Sequence, residues 1–185
     1  CLICSGSGLT ILSRWGMENL VQAISRAYGQ CAGWIGNAND CLATKGFQRI
    51  RLRLPGGAEL DFVNTHLDAG RGVEDREARR RQLDLLRSSI QAEVGRGPLI
   101  LAGDLNLDAA VPEDVALRDA FTSALGLANS GARGGSHWET LDYIFYRSGG
   151  SLELEVVEAG EDTSFVHEDT PLSDHPAIFA RFRTH

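Results

Sequence analysis

The sequence predicts a single α/β domain, residues 1–185, built on a mixed β-sheet flanked by helices. Three observations support this fold class. Strand-like and helix-like patterns alternate along the chain, as they do in α/β proteins. Two strand-like segments are separated only by a Pro-Gly-Gly turn at residues 55–57, which indicates a hairpin and therefore a sheet that is not purely parallel. A chain of 185 residues is also long enough to bury one hydrophobic core.

The elements before the hairpin are the least well defined. Residues 8–13 form a short apolar run that predicts a buried strand. Residues 17–28 are ambiguous, because their apolar positions fit one face of a helix although the segment is short and has no clear capping residue. These apolar positions are Met17, Leu20, Ile24 and Ala27.

The hairpin has a clearer pattern. Residues 48–54 alternate in polarity, which predicts a half-buried strand, and residues 60–65 form its partner. The apolar face of the first strand carries Ile50, Leu52 and Leu54, and the opposite face carries Arg49, Arg51 and Arg53. We therefore expect the arginine face to lie toward solvent.

Residues 74–94 form the clearest helix, with Leu83, Leu86, Ile90 and Val94 on one face. The other faces carry Arg76, Arg79, Arg80, Arg81 and Arg87. Such a run could bind phosphate, but acidic residues are interleaved with the arginines, which favours a solvated helix face. A buried strand at residues 99–102 follows, and then a helix at residues 117–127. The last predicted strands are residues 140–146, 152–157 and 177–183.

The net charge and the lengths of the apolar stretches argue against some classes of function. The net charge is −7, which argues against tight, sequence-independent binding of nucleic acid, because such binding relies on clustered lysine and arginine. No apolar stretch approaches the roughly 20 residues of a membrane-spanning helix. No signal peptide is visible, but the chain begins at Cys1 and we interpret it as truncated. The sequence therefore leaves open whether the protein is exported or cytoplasmic.

Two cysteines, Cys31 and Cys41, flank a loop rich in glycine and asparagine. A disulfide that closes this loop and a pair of free thiols are both compatible with the sequence. A zinc site is not indicated, because the Cys-x-x-Cys pair of Cys1 and Cys4 is not matched by a second such pair or by spaced histidines.

Four short motifs lie at the ends of predicted strands. They are Asn-Thr-His at residues 64–66, Gly-Asp-Leu-Asn at 103–106, Leu-Asp-Tyr at 141–143 and Ser-Asp-His at 173–175. Each motif alone is ordinary, and Gly-Asp-x-Asn at a strand end is often only a turn. Asp142 is more informative, because it lies in a strand built for burial and a buried carboxylate needs a cation or an imidazolium as its partner.

The four motifs together supply two histidines, three carboxylates and an amide. Oxygen ligands with few nitrogens and no thiolate favour a hard cation, Mg²⁺, Mn²⁺ or Ca²⁺. Carboxylates and histidines beside such a cation suit hydrolysis of a phosphate ester, in which a carboxylate or imidazole deprotonates water and the cation neutralises phosphate charge. The chain has no serine nucleophile elbow and no glycine-rich phosphate loop.

The four motifs, in this order, resemble those of the endonuclease/exonuclease/phosphatase superfamily, which includes DNase I, class II AP endonucleases and neutral sphingomyelinases. Residues 7–15 are similar to the family strand that ends in Ser-Arg, and Lys45-Gly46 before a strand also matches. The resemblance extends from about Gly6 to Phe182. It implies a two-sheet α/β sandwich of the DNase I type and a metal-dependent phosphodiesterase that uses in-line attack by water.

The resemblance assigns roles at the metal and the attacking water to three residues. Asp104 would position or deprotonate the water and would contribute to the metal site. Asn106 would hold a phosphate oxygen. Asp174 would be a metal ligand.

The resemblance also assigns the residues that contact the phosphate. His175, oriented by Asp142, would contact the phosphate in the transition state. His66 would be a second acid/base residue in contact with the phosphate. Asn64 and Arg14 are weaker candidates for supporting residues.

The chain departs from the family pattern in its N-terminal region. The family carries a catalytic asparagine near its first strand and a metal-binding glutamate at the end of the next. Glu18 does not match this glutamate, because it follows the Ser-Arg strand instead of preceding it. We therefore expect residues 1–185 to lack the first strands and helix of the fold and to be a poor catalyst, and a longer chain that includes the upstream region to be active.

Within the superfamily, the likeness to sphingomyelinases is the strongest. It depends on residues 65–70, residues 41–47 and the acidic composition. A nuclease acting on DNA or RNA, and a hydrolase of a small phosphodiester, are alternatives. An aromatic hairpin that touches membranes would favour a lipid substrate, and Trp138 and Phe165 are the candidates for it.

A function of another class is a binding module that keeps the fold without catalysis. The complete set of Asp104, Asn106, Asp142, Asp174 and His175 argues against this alternative. No stable protein partner is indicated, and we expect a monomer.

Overall fold

A six-stranded mixed sheet forms the centre of the molecule, with helices on one face and a two-stranded sheet on the other. The computed structural model describes residues 5–6, 8–33, 40–133, 141–168 and 170–185. This arrangement confirms the predicted α/β class with a mixed sheet.

The strands and helices of the described residues have the following bounds. The strands are β1 (Ser5–Gly6), β2 (Leu20–Ala27), β3 (Ala43–Thr44), β4 (Gly46–Arg53), β5 (Glu59–His66), β6 (Leu99–Asp104), β7 (Ala128–Asn129), β8 (Asp142–Arg147), β9 (Leu154–Asp162), β10 (Val166–His167), β11 (Thr170–Pro171) and β12 (Ala177–Thr184). The α-helices are α1 (Val73–Glu93), α2 (Pro112–Leu125) and α3 (Ser130–Arg133). Among these described helices, none is long and apolar enough to cross a membrane.

The strand order of the central sheet is β2-β4-β5-β6-β8-β7. The β4–β5 pair is the predicted hairpin and is antiparallel. Strands β5 and β6 are parallel, and α1 provides the crossover connection that a parallel pair requires. Strand β8 then pairs with β6 in the antiparallel sense. The central position of β6 explains why its sequence, from Leu99 to Ala102, is apolar without alternation.

The two faces of the sheet bury separate cores. On the helix side, Val63, Leu101 and Phe145 pack against Leu86 and Ile90 of α1. On the other side, a second core lies between the central sheet and the small sheet formed by β9 and β12. It contains Leu54, Leu60, Ile100, Tyr146, Leu152 and Leu154. Because alternate side chains of a strand point to opposite faces, Leu101 enters one core and Ile100 enters the other.

The structure corrects two predictions near the N-terminus. Residues 8–13 form no strand, and residues 20–27 form strand β2 instead of a helix. Strand β2 pairs with β4 over most of its length. The backbone hydrogen bonds of this pairing decide the conformation of a segment whose own helical pattern was short. Ile24 still faces the helix-side core, which is why the segment carries an apolar position there.

The predicted solvent exposure of Arg49 is wrong. Its side chain is 3% exposed, and it donates hydrogen bonds to Asp61 at 2.6 Å and to Glu93 of α1 at 2.9 Å. The face that carries Arg49 also carries Phe47, and α1 covers it. A buried arginine is tolerated there because two carboxylates pair with it.

The arginines of α1 largely follow the prediction of a solvated face. Arg80, Arg81 and Arg87 are exposed and form ion pairs with Glu77 or Asp84. Arg79 differs from them, because it is 1% exposed. Its guanidinium donates to backbone carbonyls that follow strand β5, including that of Gly70 at 2.8 Å. This buried arginine therefore supports the loop between β5 and α1.

The remaining predicted segments all overlap elements of the expected type. Helix α2 begins at Pro112 instead of residue 117, because proline is favoured in the first helical turn. It ends at Gly126, whose φ of +65° is the left-handed conformation common after a helix. The Cys31–Cys41 pair, which the sequence left open, is a disulfide with a Cα–Cα distance of 5.2 Å.

Candidate active site

Three of the predicted site residues lie side by side at one edge of the central sheet. His66 ends β5 and is paired in register with Asp104 at the end of parallel strand β6. Asp104 is in turn paired with Asp142, the first residue of antiparallel strand β8. Residues paired across a sheet point to the same face, so these three side chains form one row. The sheet register therefore brings together three of the four sequence motifs.

Gly103 allows β5 and β6 to approach closely beside this row. Its φ is +146°, and a Cβ atom at this position would overlap the carbonyl oxygen of Thr65. An L-residue with a side chain rarely adopts that φ and would push the strands apart. The glycine of the Gly-Asp-Leu-Asn motif is thus required by the backbone, and it sets the distance between the strand ends that carry His66 and Asp104.

His175 joins the row through Asp142. Its Nδ1 lies 2.6 Å from the Asp142 Oδ2 atom, so the contact predicted between these two residues is present. Burial by itself lowers the pKa of His175, but the hydrogen bond and charge of Asp142, with the charges of Asp104 and Asp174, outweigh it and raise the pKa. The site therefore favours an imidazolium, which is suited to contact with an anionic group.

Asp104 is the most perturbed carboxylate of the site. Burial raises its pKa to about 6, and the nearby charge of Asp142 acts in the same direction. The backbone N–H of Asn106, which donates to Asp104 Oδ1 at 2.8 Å, opposes this shift. His66 Nε2 lies 3.4 Å from the other carboxylate oxygen. A carboxyl group tuned in this way is suited to accept a proton from water near neutral pH.

Lys45 is a residue of the site to which the sequence assigned no role. Only 7% of its surface is exposed, and its Nζ atom lies 2.9 Å from His66 Nε2. A buried lysine that directly precedes a strand is unusual, because lysine is rarely buried without a partner. The sequence signal for this lysine was the family match at Lys45-Gly46, whereas its burial and its contact with His66 are seen only in the structure.

Asn106 is held rigidly beside Asp104. Its backbone has a φ of +50°, which asparagine tolerates better than most residues. Its side-chain amide donates to the carbonyl oxygen of Leu67 at 3.0 Å. This contact fixes the orientation of the amide at the mouth of the site.

The other predicted residues lie at the margin of the site. Asn64 is on the same face of β5 as His66, and its amide donates to the Thr10 carbonyl at 3.3 Å. Asp174 is exposed in the loop before β12, next to His175. Arg14 is exposed in the coil before β2, and no hydrogen bond or ion pair of the described residues joins it to the row. The structure thus brings together His66, Asp104, Asn106, Asp142 and His175, and leaves Arg14 apart.

The donor set of the row fits a hard divalent cation. Ligand atoms of Asp104, Asp142 and His175 all lie within 4.8 Å of one another. Two adjacent carboxylates repel each other, and the raised pKa of Asp104 reflects this together with burial. A bound cation would relieve that repulsion, and oxygen donors are the ligands that Mg²⁺ and Mn²⁺ prefer.

Known proteins share this fold and part of the sequence. A sphingomyelinase of Mycobacterium tuberculosis is 29% identical over 92% of the chain, which spans about a third (36%) of that protein's length. The human Nocturnin catalytic domain, solved with a bound sulfate anion, superposes with a TM-score of 0.64 at 23% identity, over 91% of this chain and 62% of that one.

A beta toxin variant of Staphylococcus aureus with bound magnesium ions has a TM-score of 0.55 at 18% identity, over 87% of this chain and 60% of that one. These structural likenesses establish the fold, a DNase I-like α/β arrangement. The family assignment comes from the sequence, because the model of the endonuclease/exonuclease/phosphatase family matches residues 2–175. With three of its motifs at one end of the central sheet and the fourth joined to them by the His175–Asp142 contact, this chain belongs to the endonuclease/exonuclease/phosphatase family.

Proposed function

We propose that the protein is a divalent-metal-dependent phosphodiester hydrolase that acts on a sphingomyelin-like lipid. The observation that carries the proposal is the row of His66, Asp104 and Asp142 with His175 bound to its end. Membership of the family and the 29% identity to a sphingomyelinase support hydrolysis of a phosphate ester.

In this proposal, the side chains of the row and their neighbours each have a separate role in one hydrolytic step. Asp104, with its pKa near neutrality, positions a water molecule and takes its proton as the water attacks phosphorus. Asp142 holds His175 through Nδ1, so that Nε2 of the ring contacts a phosphate oxygen. His66, beside Lys45, contacts a second oxygen, and the amide of Asn106 orients the phosphate.

A divalent cation would be held by Asp104, which belongs to the cluster of Asp104, Asp142 and His175, and by Asp174, which lies outside that cluster. When bound it would neutralise charge on the phosphate and on the leaving oxygen. The beta toxin of similar fold was solved with bound magnesium ions, which supports a divalent cation in this chain. We propose Mg²⁺ or Mn²⁺ for this role. Arg14 and Asn64 remain proposals for supporting residues.

The surface next to His175 favours a lipid substrate. The short hairpin formed by β10 and β11 ends directly before the Ser-Asp-His motif. Its apolar residues are exposed, with Phe165 at 56%, Val166 at 46% and Leu172 at 59% of their surface. Exposed apolar residues clustered beside a site suit contact with a bilayer. The second candidate from the sequence, Trp138, lies outside the described residues.

A nucleic-acid substrate has less support. The arginines on the exposed face of α1 already form ion pairs with Glu77 and Asp84, so their charge is largely compensated. The net charge of −7 also opposes contact with a polyanion.

Replacing Phe165 and Leu172 together with serine is expected to weaken binding to sphingomyelin vesicles by about tenfold or more, because burying one such side chain contributes about 1.5 to 3 kcal/mol. Hydrolysis of the soluble ester bis-p-nitrophenyl phosphate should be unchanged. Vesicle co-sedimentation and the chromogenic assay measure the two properties. Leu85→Ser, at a 40% exposed position of α1, is the matched control. Equal vesicle binding by the hairpin variant and the control would contradict the role of the hairpin.

The proposed function is tested by metal titration of a longer polypeptide that carries these residues and of residues 1–185 alone. We expect the longer chain to hydrolyse bis-p-nitrophenyl phosphate, to lose this activity in EDTA and to regain it with Mg²⁺ or Mn²⁺. Residues 1–185 alone should be far slower. Parallel assays with sphingomyelin and plasmid DNA decide the substrate class.

Three outcomes of this titration would count against the proposal. Activity that survives EDTA would exclude metal dependence. Absence of hydrolysis together with ligand binding would favour the non-catalytic module. Full activity of residues 1–185 would overturn the expectation that an upstream glutamate is needed.

A further inference from the structure

A buried aspartate lies behind the proposed active site, two residues after His66. Asp68 has 0% of its surface exposed. Its Oδ2 atom accepts a hydrogen bond from the backbone N–H of Ala32 at 2.6 Å, and its Oδ1 atom accepts one from Gln82 Nε2 at 2.6 Å. A carboxylate removed from water in this way needs such donors, so both contacts are important for keeping it in place.

Gln82 of α1 contacts the same residue twice. Its Oε1 atom accepts from the backbone N–H of Asp68 at 2.9 Å, while its Nε2 donates to Asp68 Oδ1. The second hydrogen of Nε2 is donated to the carbonyl oxygen of Gln30 at 2.9 Å. The 1% exposed amide of Gln82 is therefore fully hydrogen-bonded, and its orientation is fixed by Asp68.

The loop that Asp68 and Gln82 hold, residues 28–33, also contacts the residues next to Lys45 and His66. The backbone N–H of Tyr28 donates to the carbonyl oxygen of Lys45 at 3.0 Å. The Tyr28 hydroxyl lies 2.6 Å from Thr65 Oγ1, directly before His66. A disulfide joins Cys31 of this loop to Cys41. A shift of this loop would therefore move both partners of the Lys45–His66 contact.

We propose that Asp68 and Gln82 are positioning residues that set the relative placement of His66 and Lys45. Asp68 holds the backbone after His66 in place through its hydrogen bonds to Gln82 of α1. Asp68 also binds the loop of residues 28–33, and this loop in turn contacts the backbone of Lys45. Neither residue contacts the substrate. The inference depends on the proposed function, because positioning matters only if His66 and Lys45 act on a phosphate.

The direction of the hydrogen bond from Gln82 to Asp68 can be tested by substitutions that exchange its donor and its acceptor. In Asp68→Asn, the new NH₂ group faces a donor whichever way the amide is turned, either Gln82 Nε2 or the Ala32 N–H. In Gln82→Glu, a carboxylate oxygen meets Asp68 Oδ1. In the double variant Asp68→Asn/Gln82→Glu, the asparagine donates to the glutamate and accepts from Ala32, so this contact is restored with the donor and acceptor exchanged, while the Gln30 carbonyl oxygen loses its donor.

The matched control is Asp61→Asn, the same substitution at a buried carboxylate of strand β5. Asp61 is 3% exposed and pairs with Arg49, at the end of the parallel β5–β6 pair opposite to His66. It should lower the melting temperature as Asp68→Asn does, without affecting the site. Comparison of the two variants separates loss of stability from loss of positioning.

We expect Asp68→Asn and Gln82→Glu each to lower kcat on the order of tenfold or more, since small displacements of reacting groups are costly, with KM nearly unchanged. The double variant should recover part of this loss and be faster than either single variant, because the contact between positions 68 and 82 is restored although the one to Gln30 is not. Asp61→Asn should retain wild-type kcat well below its melting temperature. The imidazole NMR signals of His66, at one fixed pH, should shift in both single variants and return toward wild type in the double variant.

Two results would overturn the proposal. One is a kcat for Asp68→Asn equal to that of Asp61→Asn, and the other is an unchanged His66 signal in the single variants. If the wild-type protein hydrolyses no phosphodiester, the proposed function fails, and the His66 signals still decide whether Asp68 and Gln82 position the ring.

Discussion

Replacing Asp104 with alanine is expected to lower the rate of phosphodiester hydrolysis by about a thousandfold or more, equivalent to at least about 4 kcal/mol of transition-state stabilisation. The carboxylate is the group of the row placed to take a proton from water, and its pKa of about 6 suits that role. It also contributes to the proposed cation site. The measurement is kcat at saturating Mg²⁺, with wild type and variant compared in the same polypeptide.

Asp108 provides the matched control for Asp104. Both aspartates belong to the stretch Gly-Asp-Leu-Asn-Leu-Asp, but only Asp104 belongs to the family motif, and the sequence predicts that Asp108 is a turn residue. In the structure Asp108 is a turn residue, because its Oδ1 atom accepts from the backbone N–H of Ala110 at 2.8 Å. Asp108→Ala should change kcat by less than about threefold. Comparable losses in the two variants, or wild-type turnover in Asp104→Ala, would overturn the role of Asp104.

Replacing His175 with alanine is expected to have an effect of similar size, about a thousandfold in kcat. The substitution removes the imidazole that we propose contacts the phosphate and leaves Asp142 without its 2.6 Å partner. Because Asp142 acts through His175, the double variant with Asp142→Asn should be no slower than His175→Ala alone. The measurement is a double-mutant cycle on kcat/KM.

His185→Ala is the control for this cycle. His185 is an exposed histidine next to Glu155, in the last position of the chain. Its replacement should leave turnover at the wild-type level. Strictly additive losses for His175 and Asp142 would show that the two residues act independently, and would contradict the orienting role of the carboxylate.

Much of the fold could be predicted because local patterns agree with the tertiary structure. Helix α1 has a continuous apolar face, and the β4–β5 hairpin combines alternation with a Pro-Gly-Gly turn. Strand β2 could not be predicted, because its conformation depends on pairing with β4, which its own residues do not specify. The solvent exposure predicted for Arg49 was wrong for a related reason, since its burial depends on Asp61 and Glu93, which are distant from it in the sequence.

The candidate site was predictable to a similar degree. Motifs at strand ends identify residues that can meet at one sheet edge, and the register places His66, Asp104 and Asp142 in one row. The sequence did not assign a role to Lys45, because the importance of this lysine lies in its 2.9 Å approach to His66. Asp68 and Gln82 were not singled out either, because each is an ordinary polar residue until α1 packs beside the end of β5.

The pairing of Asp142 with His175 joins two layers of the molecule. Asp142 begins β8 of the central sheet, whereas His175 lies just before β12 of the small β9–β12 sheet. The layers meet in the second core, where the ring of Tyr146 contacts that of Phe182 with a centroid distance of 5.2 Å. The imidazole can therefore be separated from its carboxylate by partial opening between the layers, while His66 and Asp104 stay in the intact sheet. We therefore expect heating to break the Asp142–His175 contact before the main core melts, so that the proposed activity would be lost at a lower temperature than the fold of the central sheet.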